Sequence, residues 1–157
     1  MADITDKEMK VLLKSQQGEV DAVPMYLALA EVVEDEKDAR TFRQLAAEEG
    51  HHAAVFKALT KQTLAPKRLK AFALPKLYKL LGKKRLYPLI AQGEYAAVKT
   101  YRPVVEHFPE TASIRDDEKR HGDTVMALLD NPQNCAGRTI WRRSITLSLG
   151  SAGASPD

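Results

Sequence analysis

Phe42-Arg43-Gln44-Leu45-Ala46-Ala47-Glu48-Glu49-Gly50-His51-His52-Ala53-Ala54-Val55-Phe56 decides the fold of this 157-residue chain. Phe42, Leu45, Glu49, His52, Phe56 and Leu59 follow one another in alternating steps of three and four, so they share one helical face. Glu49 and His52 therefore sit on the seam that otherwise carries the apolar core. The same spacing returns in Ile114, Glu118, His121, Val125 and Leu128. An ionised carboxylate in a helical core costs several kcal/mol or more unless a cation compensates it. A single Glu-x-x-His on a helix reads as a solvated ion pair. Two copies on matching apolar seams point instead to a metal.

A second repeat supports this reading. Gln17-Gly18-Glu19 recurs as Gln92-Gly93-Glu94, and in each copy a tyrosine follows the glutamate by seven residues, Tyr26 and Tyr101. Leu12, Gln16, Glu19, Val23, Tyr26, Ala30 and Val33 recur at helical spacing. So do Ile90, Glu94, Ala97, Tyr101, Val104 and Phe108. Each half of the chain thus reads as one helix bearing Gly-Glu and a tyrosine, then one bearing Glu-x-x-His. Together they supply four glutamates and two histidines, the inventory of a carboxylate-bridged dinuclear centre in a four-helix bundle. Oxygen and imidazole donors suit iron, or manganese, better than the thiolate sets of structural zinc.

The chain resembles the ferritin-like di-iron proteins of the rubrerythrin family over roughly residues 5–129, through both Gly-Glu motifs, both tyrosines and both Glu-x-x-His motifs. The resemblance implies terminal ligands at Glu19 and Glu94, bridging ligands at Glu49 and Glu118, and one metal on each of His52 and His121. It places Tyr26 and Tyr101 behind the ligands, bonded to their carboxylates. Two departures stand out. No rubredoxin-type module is evident, which puts NADH-linked peroxidase activity in doubt. Ala97 also replaces the extra glutamate usual three residues after the third-helix ligand, which makes the ligand set more symmetric, as in ferroxidase centres. The segment around Leu86–Glu94 is similar to the ferritin-like domain fused to some membrane iron transporters. Demethoxyubiquinone hydroxylases share the ligand set but rank lower, because only 24 residues separate Glu94 from Glu118.

The expected architecture is all-α: a ferritin-like four-helix bundle over 1–131, with a long basic crossover between its second and third helices, then a partly disordered extension over 132–157. Thr5-x-x-Glu8 reads as a capping box opening the first helix, which runs to about Val33 with a bend at Pro24. The second spans roughly Asp38 to Lys61. From Gly50 to Gly93 there is no acid, while ten lysines and arginines accumulate. Pro66 and Pro75 are expected to break this segment into short pieces, with a small amphipathic helix at Leu74–Leu81 closed by Gly82. The third bundle helix runs from about Lys84 to His107, and Pro109 opens the fourth, which ends near Pro132. His51 falls off the seam and reads as surface. His107 reads as a favourable charge at a helix C-terminus.

Net charge is +3, too small to argue for nucleic acid. The single Cys135 excludes an internal disulfide and a rubredoxin-type iron site, and fits a reducing cytoplasm. No spanning helix or signal peptide is expected. The basic crossover over 66–85 is a candidate for peripheral membrane contact, and Leu147–Ser151 bears a faint likeness to encapsulin cargo tags. The expected activity is oxidation of two bound Fe(II) ions by O2 or hydrogen peroxide, with an electron donor the sequence does not specify and a homodimer suggested by the resemblance. A quinone-ring monooxygenase would require an apolar channel from the crossover to the metals. A non-catalytic iron-binding or iron-sensing module would bind metal without turnover.

Overall fold

The structure is a computed structural model that describes residues 4–130; the extension expected over 132–157 lies outside these residues. Five α-helices follow one another: α1 (Asp6–Ala30), α2 (Glu36–Thr60), α3 (Leu69–Leu81), α4 (Lys83–His107) and α5 (Ala112–Ala127). Single 3-10 turns at Pro109–Thr111 and Leu128–Asp130 flank α5.

The helix ends follow local chemistry. Thr5 caps α1 reciprocally with Glu8: its hydroxyl accepts the Glu8 N–H at 3.3 Å, and its own N–H donates to Glu8 Oε2 at 2.8 Å. α1 runs through Pro24 and stops at Ala30, short of Val33, because the N–H groups of Val32 and Val33 both turn back to the Leu29 carbonyl. Asp35 caps α2 through the N–H groups of Lys37 and Asp38, which starts that helix two residues earlier than its apolar pattern suggested. Pro75 does not break the crossover: it lies inside α3, which begins at Leu69 rather than Leu74. The ring removes one backbone bond, while Leu74 and Tyr78 on either side still pack against the core. Gly82, at φ 68°, makes the sharp join from α3 to α4. Pro109 opens a 3-10 turn, and the fourth bundle helix proper begins at Ala112.

The core lies in two apolar clusters. One holds Tyr26, Leu29, Phe42, Leu45, Leu86, Tyr87, Ile90 and Val125; the other holds Leu12, Phe56, Tyr101, Val104 and Ile114. Each fully buried leucine or phenylalanine contributes about 1.5–3 kcal/mol. The order of these residues fixes the direction of every helix. α1 and α5 run from the second cluster to the first, whereas α2 and α4 run from the first to the second. α1 packs on α2 and α4 on α5 as antiparallel pairs. Because α2 and α4 point the same way, residues 61–82 must return along the bundle, and α3 makes that return against α1. This is the long crossover the sequence implied. Between the clusters, at the level where each bundle helix replaces apolar residues with acids or imidazole, lies a polar layer.

Candidate metal centre

Glu19 from α1, Glu49 and His52 from α2, Glu94 from α4, and Glu118 and His121 from α5 form that layer, all less than a tenth exposed. One ligand atom each from Glu49, His52, Glu118 and His121 fall within 4.8 Å of one another. The two imidazole rings face each other at 5.4 Å. His52 Nδ1 lies 3.3 Å from Glu49, 3.5 Å from Glu118 and 3.6 Å from Glu19, while His121 Nδ1 lies 3.1 Å from Glu49 and 3.9 Å from Glu94. The structure thus brings together all six residues that the two repeats single out.

The tyrosines cross between halves. Tyr26 on α1 donates its hydroxyl to Glu94 on α4, and Tyr101 on α4 donates to Glu19 on α1. Burial, then the charge of Glu94, pushes the Tyr26 hydroxyl well above its ordinary range, and burial with Glu19 does the same for Tyr101. Both stay protonated and act as donors. The seven-residue spacing explains the pairing: two helical turns place each tyrosine on its own glutamate's face, one level along the axis, where an antiparallel neighbour presents the other glutamate.

Three further residues complete the layer and were not read from the sequence. Glu48 accepts from His121 Nε2 at 2.7 Å, and Asp117 accepts from His52 Nε2 at 3.2 Å. Each acid immediately precedes the glutamate of one Glu-x-x-His and reaches the histidine of the other. Arg120 closes the arrangement, with one nitrogen 2.9 Å from Glu48 and 2.8 Å from Asp117. The available signal was the acid repeated before both motifs. Glu48 also stands three residues before His51, but His51 is exposed on the outside of α2. His107 also has a specific partner, Glu8, at 2.8 Å.

The layer is short of positive charge. Among the described residues no lysine or arginine pairs with Glu19, Glu49, Glu94 or Glu118. Burial opposes the charged form of His52, yet the carboxylates of Glu118, Glu19 and Glu49 push it up to about 12. Burial, then Glu49 and Glu118, raises Glu94 to about 8, and burial with the neighbouring Glu49 raises Glu19 well above the carboxylate range. Glu49 Oε2, His52 Nδ1 and Glu118 Oε1 are buried without a hydrogen-bond partner. Orphaned donor atoms on residues that converge on one space fit a bound cation, and four carboxylates balance two divalent ions.

A family model for Rubrerythrin matches residues 10–129. The chain belongs to the rubrerythrin family. No curated protein and no solved structure matches it. The match spans α1 to the turn after α5, so it takes in both antiparallel helix pairs and the crossover. A helical rubrerythrin fold with a buried Glu/His cluster suited to a metal is therefore established for the chain. Among the described residues no helix is long and apolar enough to cross a membrane.

Proposed function

We propose that this rubrerythrin-family chain is a di-iron oxidoreductase in which Glu19, Glu49, His52, Glu94, Glu118 and His121 hold two iron ions. The observation that carries the reading is the set of orphaned buried atoms on Glu49, His52 and Glu118 at the centre of an uncompensated carboxylate layer. Bound there as Fe(II), the ions would supply electrons to hydrogen peroxide or O2.

The protein's own contribution is geometric and electrostatic. Glu48 and Asp117 hold the protons of His121 and His52 on Nε2, which turns each Nδ1 lone pair inward as a donor. The tyrosine hydroxyls hold one oxygen of Glu94 and one of Glu19, and the other oxygen of each faces a histidine, His121 and His52 respectively. The apolar clusters pack against the layer at both ends. Manganese fits the same donors. A reducing cytoplasm fits the single cysteine.

A monooxygenase acting on an apolar ring compound is the second reading, and one observation favours it. A cavity of about 380 Å³ runs from Lys70, Leu74 and Leu77 on α3, past Leu86 and Ala97, to the carboxylates of Glu19, Glu49, Glu94 and Glu118. This is the passage from crossover to metals that such a reaction needs.

The test is anaerobic loading of metal-free protein with Fe(II), a count of iron per chain, and optical spectra as hydrogen peroxide or O2 is added separately. Two irons and fast oxidation by peroxide are expected, with binding lost in Glu49→Ala and Glu118→Ala. Preference for O2 would favour ferroxidase or monooxygenase chemistry. Less than one iron per chain, unchanged in both variants, would overturn the di-iron centre.

A further inference from the structure

α3 has two apolar faces and no buried residue. Leu74 and Tyr78 turn inward against the core. Leu69, Phe72 and Leu80 share the opposite face with Lys76, and are 76%, 65% and 78% exposed. Side chains this exposed protrude, so the face is a ridge and offers no groove for a peptide. Leu89 of α4 is also exposed, and with Leu77 it lines the cavity that leads to the metal layer.

We propose that this ridge seats on an anionic lipid surface. Charge selects that occupant. Lys70, Lys76 and Lys79 lie on α3, Lys67 and Arg68 precede it, and Lys84 and Arg85 follow it, within a stretch from Gly50 to Gly93 that holds no acid. Lys76 Nζ lies 3.6 Å from the centre of the Phe72 ring, so its stem runs along apolar surface and its charged head reaches past it. Apolar side chains interleaved with lysine on one helix are the pattern of a helix lying in the headgroup layer. A second copy of the chain, packed α3 to α3 about a two-fold axis, would bring the lysines of one α3 against those of the other. Residues 131–157 carry Arg138, Arg142 and Arg143 against Asp157 alone, so their charge has the same sign as that of α3 and does not complement it. Docking rests on the surface of α3 and does not require the metal reading.

The experiment is flotation of the full-length protein, metal-free and iron-loaded, with phosphatidylcholine vesicles made with or without phosphatidylglycerol. Binding is expected only with phosphatidylglycerol, and should weaken as salt is raised. Phe72→Ser/Leu80→Ser should lower partitioning about tenfold or more. Lys76→Glu/Lys79→Glu, which alters no buried residue, should lower it independently. Iron per chain, measured on the same samples, should stay at the wild-type value, so a failure of docking and a failure of the metal centre are told apart. No binding to phosphatidylglycerol vesicles at low salt overturns the proposal. So does binding that survives Phe72→Ser/Leu80→Ser, or a concentration-dependent dimer in sedimentation velocity that this double variant dissolves.

Discussion

Asp117 and Glu48 act through the histidines they face. Each accepts a hydrogen bond from the outer nitrogen of an imidazole whose inner nitrogen points into the carboxylate layer. Asp117→Ala and Glu48→Ala are therefore expected to weaken metal binding about 10–100-fold each, measured by competition with a chelator of known affinity. Because Arg120 spans both acids, the double variant should lose less than the sum of the single losses. A merely structural role would lower thermal stability while leaving chelator competition unchanged. The glutamates and histidines at these positions were legible from the sequence because their seams are written in steps of three and four. Glu48 and Asp117 were not, because each lies one residue off its seam. Only the packing of α2 opposite α5 shows that this off-seam position faces the other helix.

At the scale of the element, the crossover depends on a buried latch at the start of α4. Asp38 of α2 is fully buried; it accepts from the Tyr87 hydroxyl at 2.8 Å and pairs with Lys83 at 3.1 Å, and Lys83 also donates to the Leu128 carbonyl at 3.1 Å. Asp38 thus ties the start of α2 to the start of α4, and Lys83 carries the tie on to the start of the last described turn. Removing one partner of a buried pair leaves the other charge uncompensated, so Asp38→Ala should cost about 3–5 kcal/mol in urea unfolding. Lys83→Met, which removes the cation and keeps the packing, leaves a fully buried carboxylate whose Oδ1 has no hydrogen-bond partner and whose Oδ2 keeps only the Tyr87 hydroxyl, so it should cost at least as much as Asp38→Ala. Nothing in the spacing of residues marks this latch. Asp38 reads as an ordinary first-turn acid, and Lys83 as one of many lysines in a basic run. Helix number, order and the need for a return crossover were legible, because apolar seams and short connections determine them. The extent of α3 was not, because Pro75 signals a break that tertiary packing of Leu74 and Tyr78 overrides.

The whole molecule carries its functional layer at the centre of its core, so stability and metal binding are linked. In the metal-free protein the layer is held together by protons: His52 and His121 are raised by facing carboxylates although burial opposes their charge, and Glu94 and Glu19 are raised by burial. A group whose folded pKa is raised contributes its full stability below its unfolded pKa, and that contribution is lost as pH rises through the folded value. The Glu94 contribution therefore fades between the ordinary carboxylate range and about 8, and that of His52 from the ordinary imidazole range up to about 12. Metal-free protein should accordingly melt at progressively lower temperature from mildly acidic pH to about pH 8. A divalent metal competes with those same protons, so its affinity rises over the same interval, and the loaded protein should hold or raise its melting temperature there. At a free metal concentration about 100 times its dissociation constant, the added stability is about 2.7 kcal/mol, or a rise of about 5–10 °C for a chain of this size. Scanning calorimetry at several pH values, with and without manganese as a redox-silent probe, checks both slopes. Parallel pH profiles for the two forms would mean that the metal binds away from the central layer. In Glu118→Ala the manganese-dependent rise should disappear, because one of the four carboxylates that the ion neutralises is gone.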